Sequence, residues 1–259
     1  MQTLQQYFPV FLLVFCRITA FFVVAPVFST RGVPQPFKVG LAFFVSLLIY
    51  LTFSREQVVQ TDGTYVLLIV REILIGLLLG FIAYLMFTVI QIAGSFIDLQ
   101  IGFGIANVID PMTGAQSPIF GNFKFMIAML LFLSMNGHHM LLKAILHSYE
   151  WVPLTNDVFA RIADGQVSEF LVRLAGTAFM LAFQMAAPIV VAMFLTDVAL
   201  GLLTRTVPQF NIFVIGVPLK IIIGLLMMMM LVPGFGYLFS QLFRSLFDAM
   251  ERLLRILAG

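Results

Sequence analysis

The chain has 259 residues, of which 61% are hydrophobic and only 10% are charged, and its mean hydropathy is +1.08. Soluble domains carry about 25% charged residues, so this composition indicates an integral membrane protein. The formal net charge of +2 is small and the basic residues are scattered, which disfavours nucleic-acid binding. The single cysteine, Cys16, excludes an internal disulfide and a thiolate-based metal site.

The first predicted membrane helix covers Phe8–Phe28, since about 20 apolar residues span the hydrocarbon core. Gln2, Gln5 and Gln6 stand where a signal peptide carries positive residues, so we expect this segment to remain in the mature protein. Arg17 lies in the middle of the segment. An arginine at the centre of a membrane helix costs roughly 2.5–3.5 kcal/mol on insertion scales, and it should therefore face protein or water.

Two apolar runs follow the first helix. The run at Val39–Phe53 is short for a membrane span. The next run begins at Arg71 and Glu72 and stays apolar through Phe96, which predicts a full membrane helix.

A polar segment, Gly94–Asn122, interrupts the apolar pattern. Glycine admits backbone angles that other residues avoid, whereas proline locks one angle and removes a donor. We predict that the segment is irregular, is kept away from lipid inside a hydrophobic assembly, and gates a passage. Its polar residues are Asp98, Gln100, Asn107, Asp110, Gln116 and Asn122, and its glycines and prolines include Gly102, Gly104, Gly114, Pro111 and Pro118.

Three further apolar segments are predicted downstream, at Phe123–Met135, Phe170–Leu195 and Phe210–Phe239. Asn136 and Gly137 indicate a turn that opens a new helix, and the stretch beginning at Asp197 reads as a polar joint. The tail from Ser240 repeats apolar residues at helical spacing, which fits an amphipathic helix at a membrane surface or docked on a partner. The sequence thus predicts an all-α integral membrane protein with about six hydrophobic helical segments and an amphipathic C-terminal helix.

No residue pattern predicts a catalytic, cofactor-binding or metal site. Gly102-Phe-Gly104 matches a dinucleotide fingerprint at only two positions, and no carboxylate or thiol completes a ligand set around the histidines. Five ionisable residues are instead expected at the depth of the membrane: Arg17, Asp98, Lys124, Asp197 and Lys220.

These charges allow two hypotheses. In the first, the chain is a solute or ion transporter with Asp98 or Asp197 as its coupling carboxylate. In the second, the chain is a subunit of a larger assembly whose neighbours satisfy the charges at interfaces. The short segments favour the second hypothesis, because a segment that does not span can still be buried by partner proteins.

The chain resembles the FliR family, a flagellar type III export-gate component whose virulence-secretion relatives are called SctT. The resemblance rests on GSFIDLQIGFGIANVIDPMTGAQSPI (94–119), FLSMNGHHMLL (132–142) with SYEWVPL (148–154), and LLTRTVPQFNIFVIGVPLKI (202–221). The stretches occur in the family's order, so the resemblance covers essentially the whole chain. The flagellar branch is favoured over the virulence branch.

The resemblance implies a non-enzymatic subunit of the export gate, without cofactors, forming one membrane-embedded domain over residues 1–259. In that family the subunit joins FliP and FliQ in a ring-like assembly of tilted, broken helical hairpins, and FlhB-family proteins associate with it. Unfolded flagellar export substrates pass through the centre. The implied location is the bacterial inner membrane, at the flagellar basal body.

The resemblance also implies that Gly102–Pro118 plugs the closed pore. A pore for unfolded chains must seal against ions, and a hydrophobic constriction seals by excluding water. The alternative is a buried, immobile wedge between helices; the density of glycine and proline favours the plug. The predicted plug residues are Gly102, Phe103, Gly104, Ile105, Asn107, Val108, Ile109, Asp110 and Pro111, with Phe103, Ile105, Val108 and Ile109 supplying apolar closure.

Overall fold

The computed structural model describes residues 2–30, 32–54, 63–103, 119–154, 158–207, 209 and 212–259. Within these ranges the chain is helical and contains no strand, so the predicted all-α fold is confirmed. The helices are α1 (Gln2–Val24), α2 (Gln35–Ile49), α3 (Tyr65–Ile101), α4 (Ile119–Ser134), α5 (Gly137–Trp151), α6 (Val158–Ala163), α7 (Gln166–Thr206) and α8 (Val217–Ala258). Two π-helical turns lie at Tyr50–Ser54 and Ile212–Gly216.

Four helical stretches in the described part of the chain are long and apolar enough to cross a membrane. The count rises to five if α4 and α5 together form one span. The apolar part of α1, Phe8–Val24, is shorter than these. The four candidate spans are Gln35–Thr52, Tyr65–Ile101, Gln166–Thr206 and Val214–Ala258.

Several helices extend beyond the predicted segments. α3 begins at Tyr65, so Arg71 and Glu72 lie inside the helix rather than at its start. α7 continues through Asp197 to Thr206, and α8 continues past Ser240 without a break. A charged side chain does not end a helix when it finds a partner, and the partners of these residues are described below.

The predicted turn between α4 and α5 is confirmed. Asn136 adopts the left-handed conformation with φ of 57°, and α5 begins at Gly137. Asparagine is one of the few residues that visit this region routinely, since its short polar side chain can hydrogen-bond locally.

The chain forms two compact units. The first comprises residues 1–86, 136–174 and 244–259, and the second comprises residues 87–135 and 175–243. In the first unit α3 lies directly against α1, because a Cβ atom on Gly76 would overlap the backbone carbonyl of Arg17. In the second unit the rings of Phe87, Phe132 and Phe243 form a buried aromatic cluster.

From Arg244 onward, the amphipathic tail packs within the first unit. Its leucines Leu246, Leu253 and Leu257 are fully buried, and the Arg255 guanidinium lies 5.4 Å from the ring centroid of Trp151. The apolar face of the tail is therefore covered by its own chain rather than by a membrane surface or a partner. The single-domain extent of residues 1–259 stays a prediction.

Candidate functional site

Two helix ends bracket the segment predicted to act as a plug. α3 ends at Ile101 and α4 begins at Ile119, so helices extend into both ends of the predicted irregular stretch 94–122. Of the predicted plug residues, Gly102 and Phe103 are described, and Gly102 has a φ of +106°, which favours glycine. Gly104, Ile105, Asn107, Val108, Ile109, Asp110 and Pro111 lie outside the described residues.

Asp98 connects the two helix ends. It lies in the last turn of α3 and is almost fully buried. Both of its carboxylate oxygens accept a hydrogen bond from the Phe120 backbone N–H at 3.2 Å, and one oxygen also accepts from the Gly121 N–H at 3.4 Å. The first N–H groups of a helix have no partner inside the helix, and a negative charge is favourable there. Asp98 therefore caps α4 from another helix.

Close contacts surround this cap. A Cβ atom on Gly94 would overlap the backbone of Gly121, so the two backbones meet without side chains between them. The rings of Phe103 and Phe120 lie 5.7 Å apart between centroids. The capped helix start, the glycine contact and the ring pair together form a group that we call the loop base.

Changing Gly94 to alanine is expected to destabilise the loop base by about 1–3 kcal/mol, because the new methyl group must displace backbone atoms. The matched control is Gly176→Ala in α7, where a Cβ atom would meet nothing within 4 Å. Thermal unfolding of each purified variant in detergent measures the change in stability. A Tm that falls equally in the two variants would contradict the tight contact.

Lys124 lies on α4 beside the loop base. Its side chain is fully buried, and its Nζ has no hydrogen-bond partner in the described part of the chain. The ammonium lies 4.8 Å from the ring centroid of Phe235 and interacts electrostatically with Asp98. A buried charge needs compensation, and the Asp98 carboxylate contributes to it without forming a direct ion pair.

Asp197 and Lys220 form a second polar group in the same unit. Lys220 Nζ lies 2.8 Å and 3.0 Å from the two carboxylate oxygens of Asp197, and Gln100 Nε2 donates to one of them at 3.1 Å. The Asp197 side chain is 43% exposed and the Lys220 side chain 16%. This pair links α3, α7 and α8, and it explains why α7 continues through a charged residue.

Arg17 is fully satisfied within the first unit. Its Nε and one Nη donate to the Glu72 carboxylate at 2.7 and 3.0 Å, and both side chains are completely buried. The other contacts run to the Ser148 carbonyl and hydroxyl at 3.2 and 3.1 Å and to the Val152 carbonyl at 3.1 Å. The Tyr149 ring covers the guanidinium at 3.9 Å. An arginine has five N–H donors, and here each has an acceptor.

Arg71 extends this network. Its guanidinium donates to the backbone carbonyls of Pro153 and Leu154, and it lies 3.5 Å from Glu72. The contacts of Arg71 and Glu72 were not predicted from the sequence, because the two residues were expected at the start of an apolar run. The available signal was that a lone arginine in an apolar helix needs a carboxylate, and Glu72 is among the few acidic residues inside predicted apolar segments.

The five residues predicted as charges at membrane depth interact with other groups of the same chain. Arg17, Asp98, Asp197 and Lys220 have partners in their own unit, and Lys124 has a counter-charge nearby. Among the described residues, no group of three or more histidine, cysteine, aspartate or glutamate side chains could hold a metal ion. The predicted absence of metal and catalytic sites stays a prediction.

Comparison with known proteins gives consistent matches over most of the chain. Residues 8–246 match the family described as bacterial export proteins, family 1. The chain is 43% identical to the flagellar biosynthetic protein FliR of Bacillus subtilis (strain 168), over 99% of this chain and 98% of the relative. It is 31% identical to FliR of Escherichia coli (strain K12), covering 92% and 91% of the two chains. It is also 31% identical to the Yop proteins translocation protein T of Yersinia pestis, over 82% and 81%.

Proposed function

The chain belongs to family 1 of the bacterial export proteins, and on that premise we propose that it is a subunit of the flagellar type III export gate. The similarity to flagellar FliR proteins extends over nearly the full length of both chains. Four candidate membrane spans in the described residues fit a membrane protein of the flagellar export apparatus. The proposed role is non-enzymatic.

We further propose that the subunit assembles with FliP and FliQ in the inner membrane, with FlhB-family proteins associated, to form the channel for unfolded flagellar proteins. The exposed surface of α7 supports an assembly. Asp197 is partly exposed and lies between exposed apolar residues, among them Leu195 and Val198. A carboxylate is costly against lipid, so a neighbouring subunit that covers this face would remove the cost.

The segment Gly102–Pro118 is proposed as the plug of this channel. The observation that carries the proposal is the loop base: Asp98, Gly94 and Phe103 on the α3 side hold the start of α4. A segment whose two ends are held together can leave a passage and return to the same place. The glycines and apolar side chains within the segment suit movement and water exclusion.

The contacts of Asp98 and Asp197 support a solute or ion transporter less than they support an export-gate subunit. A coupling carboxylate must exchange its partner during transport, whereas Asp98 caps a helix start and Asp197 is held by Lys220 and Gln100. Both carboxylates are therefore engaged in holding helices together.

Deleting the gene from a bacterium that carries it is expected to abolish flagellar filaments and swimming, because the export channel would lack a subunit. Electron microscopy of the cells and motility in soft agar measure the loss. Restoring the gene on a plasmid is the control, and the tagged protein should co-purify with FliP and FliQ. A deletion strain that still swims would rule out the proposed function.

A further inference from the structure

We propose that Asp98 is a positioning residue of the gate, which sets the start of α4 through its acceptor oxygens and needs its charge only to balance Lys124. This inference rests on the proposed plug function, since the start of α4 is where the chain leaves the 102–118 segment. It separates Asp98 from a proton- or ion-coupling role, for which an ionisable carboxylate is indispensable.

The carboxylate oxygens of Asp98 face the first turn of α4. One oxygen of Asp98 accepts from the Phe120 N–H, and the other accepts from the N–H groups of Phe120 and Gly121, which lie 22 and 23 residues further along the chain. These groups belong to the first turn of α4 and have no acceptor inside that helix. An asparagine amide oxygen in the place of the oxygen that accepts from both groups could accept from Phe120 and Gly121, whereas the bond to the other oxygen would be lost.

The charge of Asp98 has a buried counterpart in Lys124. Lys124 follows Gly121 by about one helical turn, is fully buried and has no hydrogen-bond acceptor among the described residues. Its ammonium interacts with the Asp98 carboxylate and with the Phe235 ring. Neutralising Asp98 alone would leave this cation with only the Phe235 ring, whereas neutralising both residues would leave no buried charge beside the loop base.

Packing contacts surround the capped start of α4. Gly94 meets the Gly121 backbone, and Phe103 meets Phe120, so the same two residues of α4 are held by packing as well as by Asp98. These packing contacts bring the start of α4 within reach of Asp98 and do not depend on the protonation of any group. What Asp98 adds is hydrogen bonding to the two N–H groups.

The test compares three variants in the complete gate, purified with its neighbouring subunits and reconstituted in liposomes: Asp98→Asn, Asp98→Asn with Lys124→Met, and Asp98→Ala with Lys124→Met. We expect the Asn/Met double variant to hold ion leakage within about twofold of the parent and to support motility. The single Asn variant and the Ala/Met double variant should each leak about tenfold more. For every variant, the subunits that co-purify with it show whether the gate has assembled.

Two results would overturn the proposal. If the Asn/Met and Ala/Met double variants both leak more ions than the parent, and by equal amounts, the charge itself is required. Parental sealing in all three variants would mean that Asp98 does not position the helix start. If the Ala/Met variant fails to assemble, amide hydrogen exchange at Phe120 and Gly121 decides: parental protection in the Asn/Met variant supports the acceptor role, and lost protection overturns it.

A variant with a shortened 102–118 segment separates this inference from the proposed function. If the shortened variant leaks and the Asp98 variants all seal, the plug stands and the role of Asp98 falls. If the shortened variant also seals, the plug itself is absent and the proposed function of the segment fails.

Discussion

Replacing Arg17 with methionine is expected to remove most of the folded protein from detergent extracts of the membrane. The substitution leaves Glu72 completely buried with its main partner gone, and it leaves the acceptors at Ser148 and Val152 without their donor. Removing one member of a buried ion pair costs about 3–5 kcal/mol. Total stabilities are about 5–15 kcal/mol, so the loss is a large share. The yield of monodisperse protein and its Tm measure the effect.

Two further variants test whether the buried pair is the cause. Changing Arg17 to methionine together with Glu72 to leucine removes both charges and should recover at least part of the lost Tm, because no unpaired carboxylate remains. Arg173→Met is the matched control, since Arg173 pairs with Glu169 in an exposed position of α7 and exposed pairs contribute little. An Arg17→Met protein as stable as the Arg173→Met protein would contradict the network.

Shortening the segment between Gly102 and Pro118 is expected to raise ion leakage through the assembled gate by about tenfold or more, while assembly stays intact. The physical reason is that a passage wide enough for a polypeptide admits hydrated ions unless an apolar barrier excludes water. A membrane-potential dye in living cells measures the leak. The matched control changes Ile105, Val108 and Ile109 to leucine, which keeps the apolar surface and should keep the seal.

Local patterns in the sequence were sufficient for the fold class. Long apolar runs predicted helices, and Asn136-Gly137 predicted the start of α5, because both depend on residues close together in the chain. The helix ends were less predictable. Asp197 was interpreted as part of a polar joint, yet it lies within α7 because Lys220 and Gln100 satisfy its carboxylate there.

The partners of the charged residues could not be predicted either, because they lie far away along the chain. Composition shows that Arg17 needs an acceptor, but Glu72 is 55 residues away along the chain and meets it only once α1 and α3 pack. The cap that Asp98 places on α4 likewise depends on the approach of Gly94 to Gly121. Of the candidate plug, Gly102 and Phe103 are placed by the structure, and the role of the other plug residues stays a prediction.

Ion conductance of the reconstituted gate tests most directly whether this chain seals an export channel with its 102–118 segment. The complete gate and a gate carrying the shortened segment are inserted in planar bilayers at equal amounts. A closed parent and a conducting shortened variant are the predicted result. Equal, low conductance from both gates, with all subunits present, would contradict the account.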